Sequence, residues 1–482
     1  LTKRPDYAII DQKGRVAMTR QANQIWEKIQ KQKQLEIKAK LLGIMASILP
    51  FFILALFIIS PLIQLIVRIT MPEEYYHVVF ETTSIEILEY QQTIRRVHEV
   101  ARFAAVIFYI YCGYYLITNR KKVRTELKNY IKRLIPLFLF FLFAIGIILV
   151  TKIRGANKYD LTGHPYMRES IYSYITYPLV YFFCGMFVSS SGMKRGLLYT
   201  LLISAMPLNI LALVHEWITS IKYYVGEGGA YAVFHNSNHY GYYLVLVILS
   251  SAILFVYEKK LGWKIFNALS GILGTMVLII DNTLGAYLAV LLVLIFFIIY
   301  CFWKDKEYRW LAVGAFCGFM LITFIMGIWY DTVTSSFTRL FIDIGEIAAD
   351  PSKADSAGSE RWKLWKGTVQ HIGESPLLGF GVEGLLDTYE IGTPHNELLQ
   401  YAEFFGIPVM LLYTAAVTVI IVTIMKNSTK LSKMTLVCFC VSVGYLISSM
   451  FGVQIYYTTP FIYIFLGLTY AEYFKGIETS RH

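Results

Sequence analysis

Apolar runs of roughly membrane-spanning length recur along almost the whole chain, and nothing else restricts its fold so severely. Runs such as 41–67 and 134–150 approach or reach the ~20 residues a helix needs to cross hydrocarbon. With 56% hydrophobic and 16% aromatic residues over 482 positions and a mean hydropathy of +0.52, a soluble globular protein is excluded. Apolar runs between polar punctuation predict spans near 42–66, 101–118, 134–151, 171–190, 196–216, 241–257, 265–281, 283–302, 310–330, 400–424, 434–452 and 457–474. The expectation is an all-α polytopic membrane protein of about 12 transmembrane helices, with one large extracytoplasmic loop between helices 9 and 10. A basic N-terminal arm over 1–41 precedes helices 1–9 within 42–330. The loop 331–399, helices 10–12 within 400–474 and a tail over 475–482 follow.

A net charge of +11 could suggest nucleic acid as a partner, but the charges are distributed as topology markers. Lysine and arginine collect on alternate connections: Arg120-Lys121-Lys122-Val123-Arg124, Met193-Lys194-Arg195, Lys259-Lys260 and Lys304-Asp305-Lys306. The intervening ones are acidic or mixed, as in Pro72-Glu73-Glu74. The positive-inside bias therefore predicts both termini in the cytoplasm and the loop 331–399 outside a bacterial inner membrane. The polar arm argues against a cleavable signal and for a first span retained as an anchor. Its basic stretch around Trp26 is expected to lie on anionic lipid headgroups. All six cysteines fall inside apolar runs and read as packing residues, with no disulfide frame.

The loops are lopsided. Most connections are a handful of residues, yet some seventy separate the ninth and tenth spans, with Trp362, Trp365 and the turn-rich Pro376-Leu377-Leu378-Gly379-Phe380-Gly381 among them. A long structured loop in a compact protein is usually functional. At its end stands Thr393-Pro394-His395-Asn396-Glu397-Leu398-Leu399-Gln400-Tyr401-Ala402-Glu403-Phe404-Phe405-Gly406. His395, Leu399 and Glu403 recur at i, i+4 and i+8, and Asn396 and Gln400 share the adjacent stripe, so a polar face is expected on an otherwise apolar helix. Polar groups there are expected to face a cavity, because they are expensive against lipid.

This pattern, His-Asn, nine intervening residues, then Gly406, resembles the O-antigen ligase and Wzy-type polymerase family of integral membrane glycosyltransferases. Arg361-Trp362-Lys363-Leu364-Trp365 ahead of Ser375-Pro376-Leu377-Leu378-Gly379-Phe380-Gly381 looks like the family's second shared block. Phe234-His235-Asn236-Ser237-Asn238-His239-Tyr240-Gly241 is a weaker third match. The resemblance implies transfer of a glycan from an undecaprenyl-diphosphate carrier to an acceptor hydroxyl on the outer membrane face, without cofactor, nucleotide sugar or metal. It implies His395 as general base and Arg361 on the donor diphosphate, chemistry that suits an imidazole and a forked guanidinium. Asn396, Gln400, Glu403 and Asn238 are the further substrate-binding candidates. Many members carry Ser-Arg-Gly at the turn opening the eighth span, whereas here Leu284 falls where that arginine would stand. Arg339 is the substitute candidate, with Lys222 and Arg168 behind it. Val409 also departs from the family's small residue.

His235 and His239, spaced i, i+4, lack a third metal ligand nearby, and no metal site is expected. Glu73-Glu74 matches the placement of a catalytic acid in a separate glycosyltransferase class, but reads as a solvated pair. Asp281 and Asn282 serve either substrate or helix capping. The leading expectation is a polymerase joining lipid-linked repeat units into capsule, exopolysaccharide or O-antigen, acting with a chain-length regulator. A ligase passing the finished glycan to another envelope acceptor and a polysaccharide flippase are the alternatives.

Overall fold

The computed structural model describes residues 8–10, 16–18, 20–70, 120–156, 160–161, 169–188, 190–217, 233–234, 237–330, 342, 345–346, 348–349, 361–382, 394–454 and 458–475. Contacts divide the chain into Leu1–Phe52 and Ile53–His482. The first unit holds a hairpin, β1 (Ala8–Ile10) antiparallel to β2 (Val16–Met18), and the beginning of α1 (Arg20–Thr70). That short hairpin is the departure from an all-α expectation.

The second unit is helical. After the remainder of α1 come α2 (Arg120–Arg154), α3 (Ile171–Phe187), α4 (Ser191–Trp217), α5 (Ser237–Tyr257), α6 (Leu261–Asp281), α7 (Leu284–Trp303) and α8 (Arg309–Trp329). Two short helices, α9 (Arg361–Glu374) and α10 (Glu397–Phe405), precede α11 (Ile407–Asn427), α12 (Lys433–Ser449) and α13 (Thr459–Lys475). Among the described residues seven helices are long and apolar enough to cross a membrane, carried by α2, α4, α5, α6, α7, α8 and α11. The helices α3, α12 and α13 are apolar but 17 residues each. The predicted span 101–118 lies outside the described residues, and among the described ones seven helices qualify against the twelve expected over the whole chain.

Helix α5 is the hub, packed by α4, α6, α7, α8 and α12, and its Tyr240 and Leu244 are fully buried. A second layer joins α2 to α3 and α11, and α3 to α13. At one end, charged pairs tie helix termini together: Lys194 Nζ to Glu472 at 3.1 Å, Arg195 to Glu258 at 2.5 Å, and Lys433 to Asp305. The other end gathers the C-terminus of α2, the N-terminus of α5, the α6–α7 turn and the segment after α12. There Gly241 lies against Thr283, Gly285 against Phe451, and Arg154 against Phe404. This second end carries α9 and α10.

The expected tenth span does not run unbroken from residue 400. It divides at Gly406, whose φ of 85° lies in the left-handed region, and α11 restarts with Pro408 in its first turn, where a missing N–H removes no helical bond.

Candidate functional site

The site is built on two turns locked to each other through their backbones. Helix α9 ends in the turn Ser375–Gly381, and this turn lies along the C-terminal end of α10. Phe380 N donates to Glu403 O at 2.7 Å, Gly381 N to Phe404 O at 3.0 Å, and Ile407 N to Pro376 O at 2.8 Å. The approach demands glycine twice. At Gly379 (φ 63°) a Cβ would stand 2.5 Å from Glu403 O, and at Gly406 one would collide with the Leu377 carbonyl. The two sequence blocks are thus one structural unit.

Arg154, at the end of α2, clamps the unit from the side. Its Nη1 donates to Phe404 O at 3.1 Å and more weakly to Leu378 O at 3.4 Å, while Nη2 pairs with Asp160 at 2.7 Å. Asp160 is fully buried and accepts Val382 N at 3.3 Å. Neither residue was singled out from sequence. The signal was an arginine at the end of a span where topology predicts few positive charges.

His395 stands just before α10, outside the helix, with φ of 48°. Asn396 is the N-cap: its Oδ1 accepts from Leu398 N and Leu399 N, both at 3.1 Å, satisfying two of the exposed donors of a helix start. Its Nδ2 donates to Met450 O at 3.2 Å. On the other side, Trp365 Nε1 donates to Pro394 O at 2.9 Å. Arg361 lies one turn before Trp365 on α9, so the guanidinium and the imidazole belong to one corner of the fold. Burial, and then the Arg361 charge, push the His395 imidazole down to about 4, so it is neutral at pH 7. The Tyr242 hydroxyl of α5 acts electrostatically on Arg361, whose own pKa is lowered by burial. Tyr242, also unflagged by the sequence reading, lies four residues after Asn238, which places both on one face of α5.

The polar stripe of α10 turns inward instead of toward an open cavity. Glu397, Gln400 and Glu403 are all buried while Leu398 and Leu399 are partly exposed, an inversion made tolerable by hydrogen bonds. Glu397 Oε1 accepts from Tyr413 Oη at 2.9 Å and from Gln454 Nε2. Gln400 Oε1 accepts Gln454 N at 3.1 Å, and Tyr174 Oη donates to Gln454 Oε1 at 3.4 Å. Glu403 Oε1 meets His371 Nδ1 of α9 at 3.1 Å, and the His371 ring stacks on Phe380 with centroids 3.7 Å apart. Burial pushes Glu403 up to about 9, so its carboxyl keeps its proton at neutral pH. Burial likewise raises Glu397.

Of the expected site residues, the structure brings together His395, Asn396 and Arg361 and sets Gln400 and Glu403 behind them in the interior. Asn238 is in the first turn of α5 at the same end of the bundle. Arg339, Lys222, Arg168, His235 and Glu73-Glu74 lie outside the described residues. Asp281 accepts from Thr283 Oγ1 at 2.6 Å and Asn282 is left-handed (φ 56°), so this pair shapes the α6–α7 turn; Leu284 opens α7 without a basic side chain. Val409 packs at Gly146 of α2. Among the described residues no cluster of His, Cys, Asp and Glu could hold a metal ion.

A family model described as O-antigen ligase matches residues 268–414, the stretch from α6 through α9 and α10 into α11 that contains Arg361, His395 and both interlocked glycines. Over residues 268–414 the chain is therefore similar to O-antigen ligases. None of the curated proteins matches the sequence significantly. That likeness and the apolar helices together fit a multi-pass membrane protein that handles glycans, and Arg154, Tyr242, Met450 and Gln454 support the matched stretch from outside its limits.

Proposed function

We propose that the protein transfers a glycan from an undecaprenyl-diphosphate carrier to an acceptor hydroxyl, at the outer face of a bacterial inner membrane. The observation that carries this reading is the pairing of a neutral imidazole with a guanidinium on a preformed corner of the matched stretch. His395 removes the acceptor proton as the acceptor oxygen attacks the anomeric carbon. The bond from that carbon to the diphosphate oxygen breaks, and its electron pair leaves with the diphosphate. Arg361 stabilises the charge developing there with forked, charge-assisted hydrogen bonds. Direct attack inverts the anomeric centre and uses no metal or cofactor. Asn396 and Asn238 are the substrate contacts this reading favours, with Arg339 and Lys222 as added cations for the diphosphate. Gln400 and Glu403, being buried and hydrogen-bonded, support the site's shape.

The acceptor we propose is a second lipid-linked repeat unit, making the protein a polymerase served by a chain-length regulator. A second reading, in keeping with the family's description as O-antigen ligase, is a ligase with the same chemistry and another envelope acceptor. Purified protein incubated with undecaprenyl-diphosphate-linked repeat units extracted from the producing cells decides between them. A ladder of products is expected; transfer of a single unit to an added acceptor, with no ladder, supports the ligase, and no transfer at all contradicts both.

A further inference from the structure

We propose that Trp365 is a positioning residue for glycan transfer, its indole N–H holding the Pro394 carbonyl so that His395 stays at a fixed separation from Arg361. The inference rests on the function proposed above and deepens it.

His395 is one of two described non-glycine residues with positive φ, a region that side chains avoid unless their surroundings hold them there. The residue on each side of it is held by a different element, Pro394 through its carbonyl and Asn396 through its side chain. Ahead of it, the Pro394 carbonyl receives the Trp365 indole at 2.9 Å; behind it, Asn396 Nδ2 grips Met450 O at 3.2 Å. The second bond anchors the chain to the segment after α12, whereas the first anchors it to α9, the helix that carries Arg361. Arg361 and Trp365 are four residues apart on that helix, so one rigid turn sets the distance from the cation to the base. The Trp365 ring lies tilted beside Phe451, with centroids 6.4 Å apart, while its N–H reaches Pro394 O. Proton removal and leaving-group stabilisation belong to one transition state, so geometry between the two groups acts on kcat. A tryptophan serving packing alone would need its ring and not its N–H.

Two substitutions isolate the N–H: Trp365→Phe, and replacement of Trp365 by benzothienylalanine, which keeps the bicyclic shape with sulfur in place of N–H. Initial rates are measured on purified protein with undecaprenyl-diphosphate-linked oligosaccharide extracted from the producing cells, alongside His395→Ala and thermal unfolding of each variant. Loss of one aligned hydrogen bond at the base is expected to lower kcat roughly tenfold in both variants, with the donor KM within about twofold of wild type. A kcat within about twofold of wild type, a KM that rises while kcat holds, or a rate loss that merely follows loss of folded protein overturns the positioning role. Those results with an inactive His395→Ala leave the proposed function standing, whereas an active His395→Ala overturns both.

Discussion

A histidine that acts as a base must be neutral, and His395 is kept so by burial and by the neighbouring guanidinium. Both influences disfavour the imidazolium, so the acid limb of kcat/KM is expected near pH 4 instead of near the ordinary histidine value. Arg361→Gln removes the second influence while leaving burial, and the limb should shift upward as the rate falls; a limb that stays in place in a pH–rate profile contradicts the coupling. Arg361→Lys should recover activity poorly, because a point charge lacks the fork. Glu403 carries the opposite signature. Its folded pKa is raised to about 9, so the folded state binds the proton more tightly than the unfolded chain does. Stability is therefore withdrawn as pH rises from the ordinary carboxylate range through about 9. Glu403→Gln should abolish this decline in thermal melts while keeping a partner for His371. Glu403→Ala, leaving the buried ring unpaired, should lose about 1–3 kcal/mol.

At the scale of elements, the interlock of Ser375–Gly381 with Glu403–Ile407 decides whether Arg361 and His395 meet. Gly406→Ala meets both a left-handed backbone and the Leu377 carbonyl, and is expected to destabilise by about 1–3 kcal/mol with loss of transfer. A melt unchanged from wild type would show that the turn yields. Arg154→Ala and Asp160→Ala should be non-additive in a double-mutant cycle, since each leaves the other's backbone partners unheld. Both turns were visible in the sequence as motifs, but their mutual pairing was not. It runs backbone to backbone and so leaves no side-chain pattern to read. The break at Gly406 was hidden for a related reason: the residues on either side are equally apolar, and a lone glycine in such a run reads as tolerated. The polar stripe of α10 was legible, yet its direction was not, because the partners that draw it inward, Tyr413, Gln454 and His371, come from three other places in the chain.

Over the whole molecule, hydropathy located the described helices closely, since burial in lipid leaves a long uninterrupted record in composition. Leu284 stands where the resemblance leads one to expect an arginine, and the candidates Arg339 and Lys222 lie outside the described residues. Lys260 and Leu377 occupy opposite ends of the bundle, and the positive-inside bias assigns the lysine end to the cytoplasm. In a background without native cysteines, Leu377→Cys should react with a membrane-impermeant maleimide on intact cells, and Lys260→Cys only after permeabilisation; the reverse pattern inverts the topology. Single-turnover transfer by purified His395→Ala tests most directly whether His395 takes the acceptor proton. With lipid-linked donor and acceptor both saturating, the variant should be folded, bind donor as wild type does and form no detectable glycosidic bond. Transfer at the wild-type rate would contradict the account.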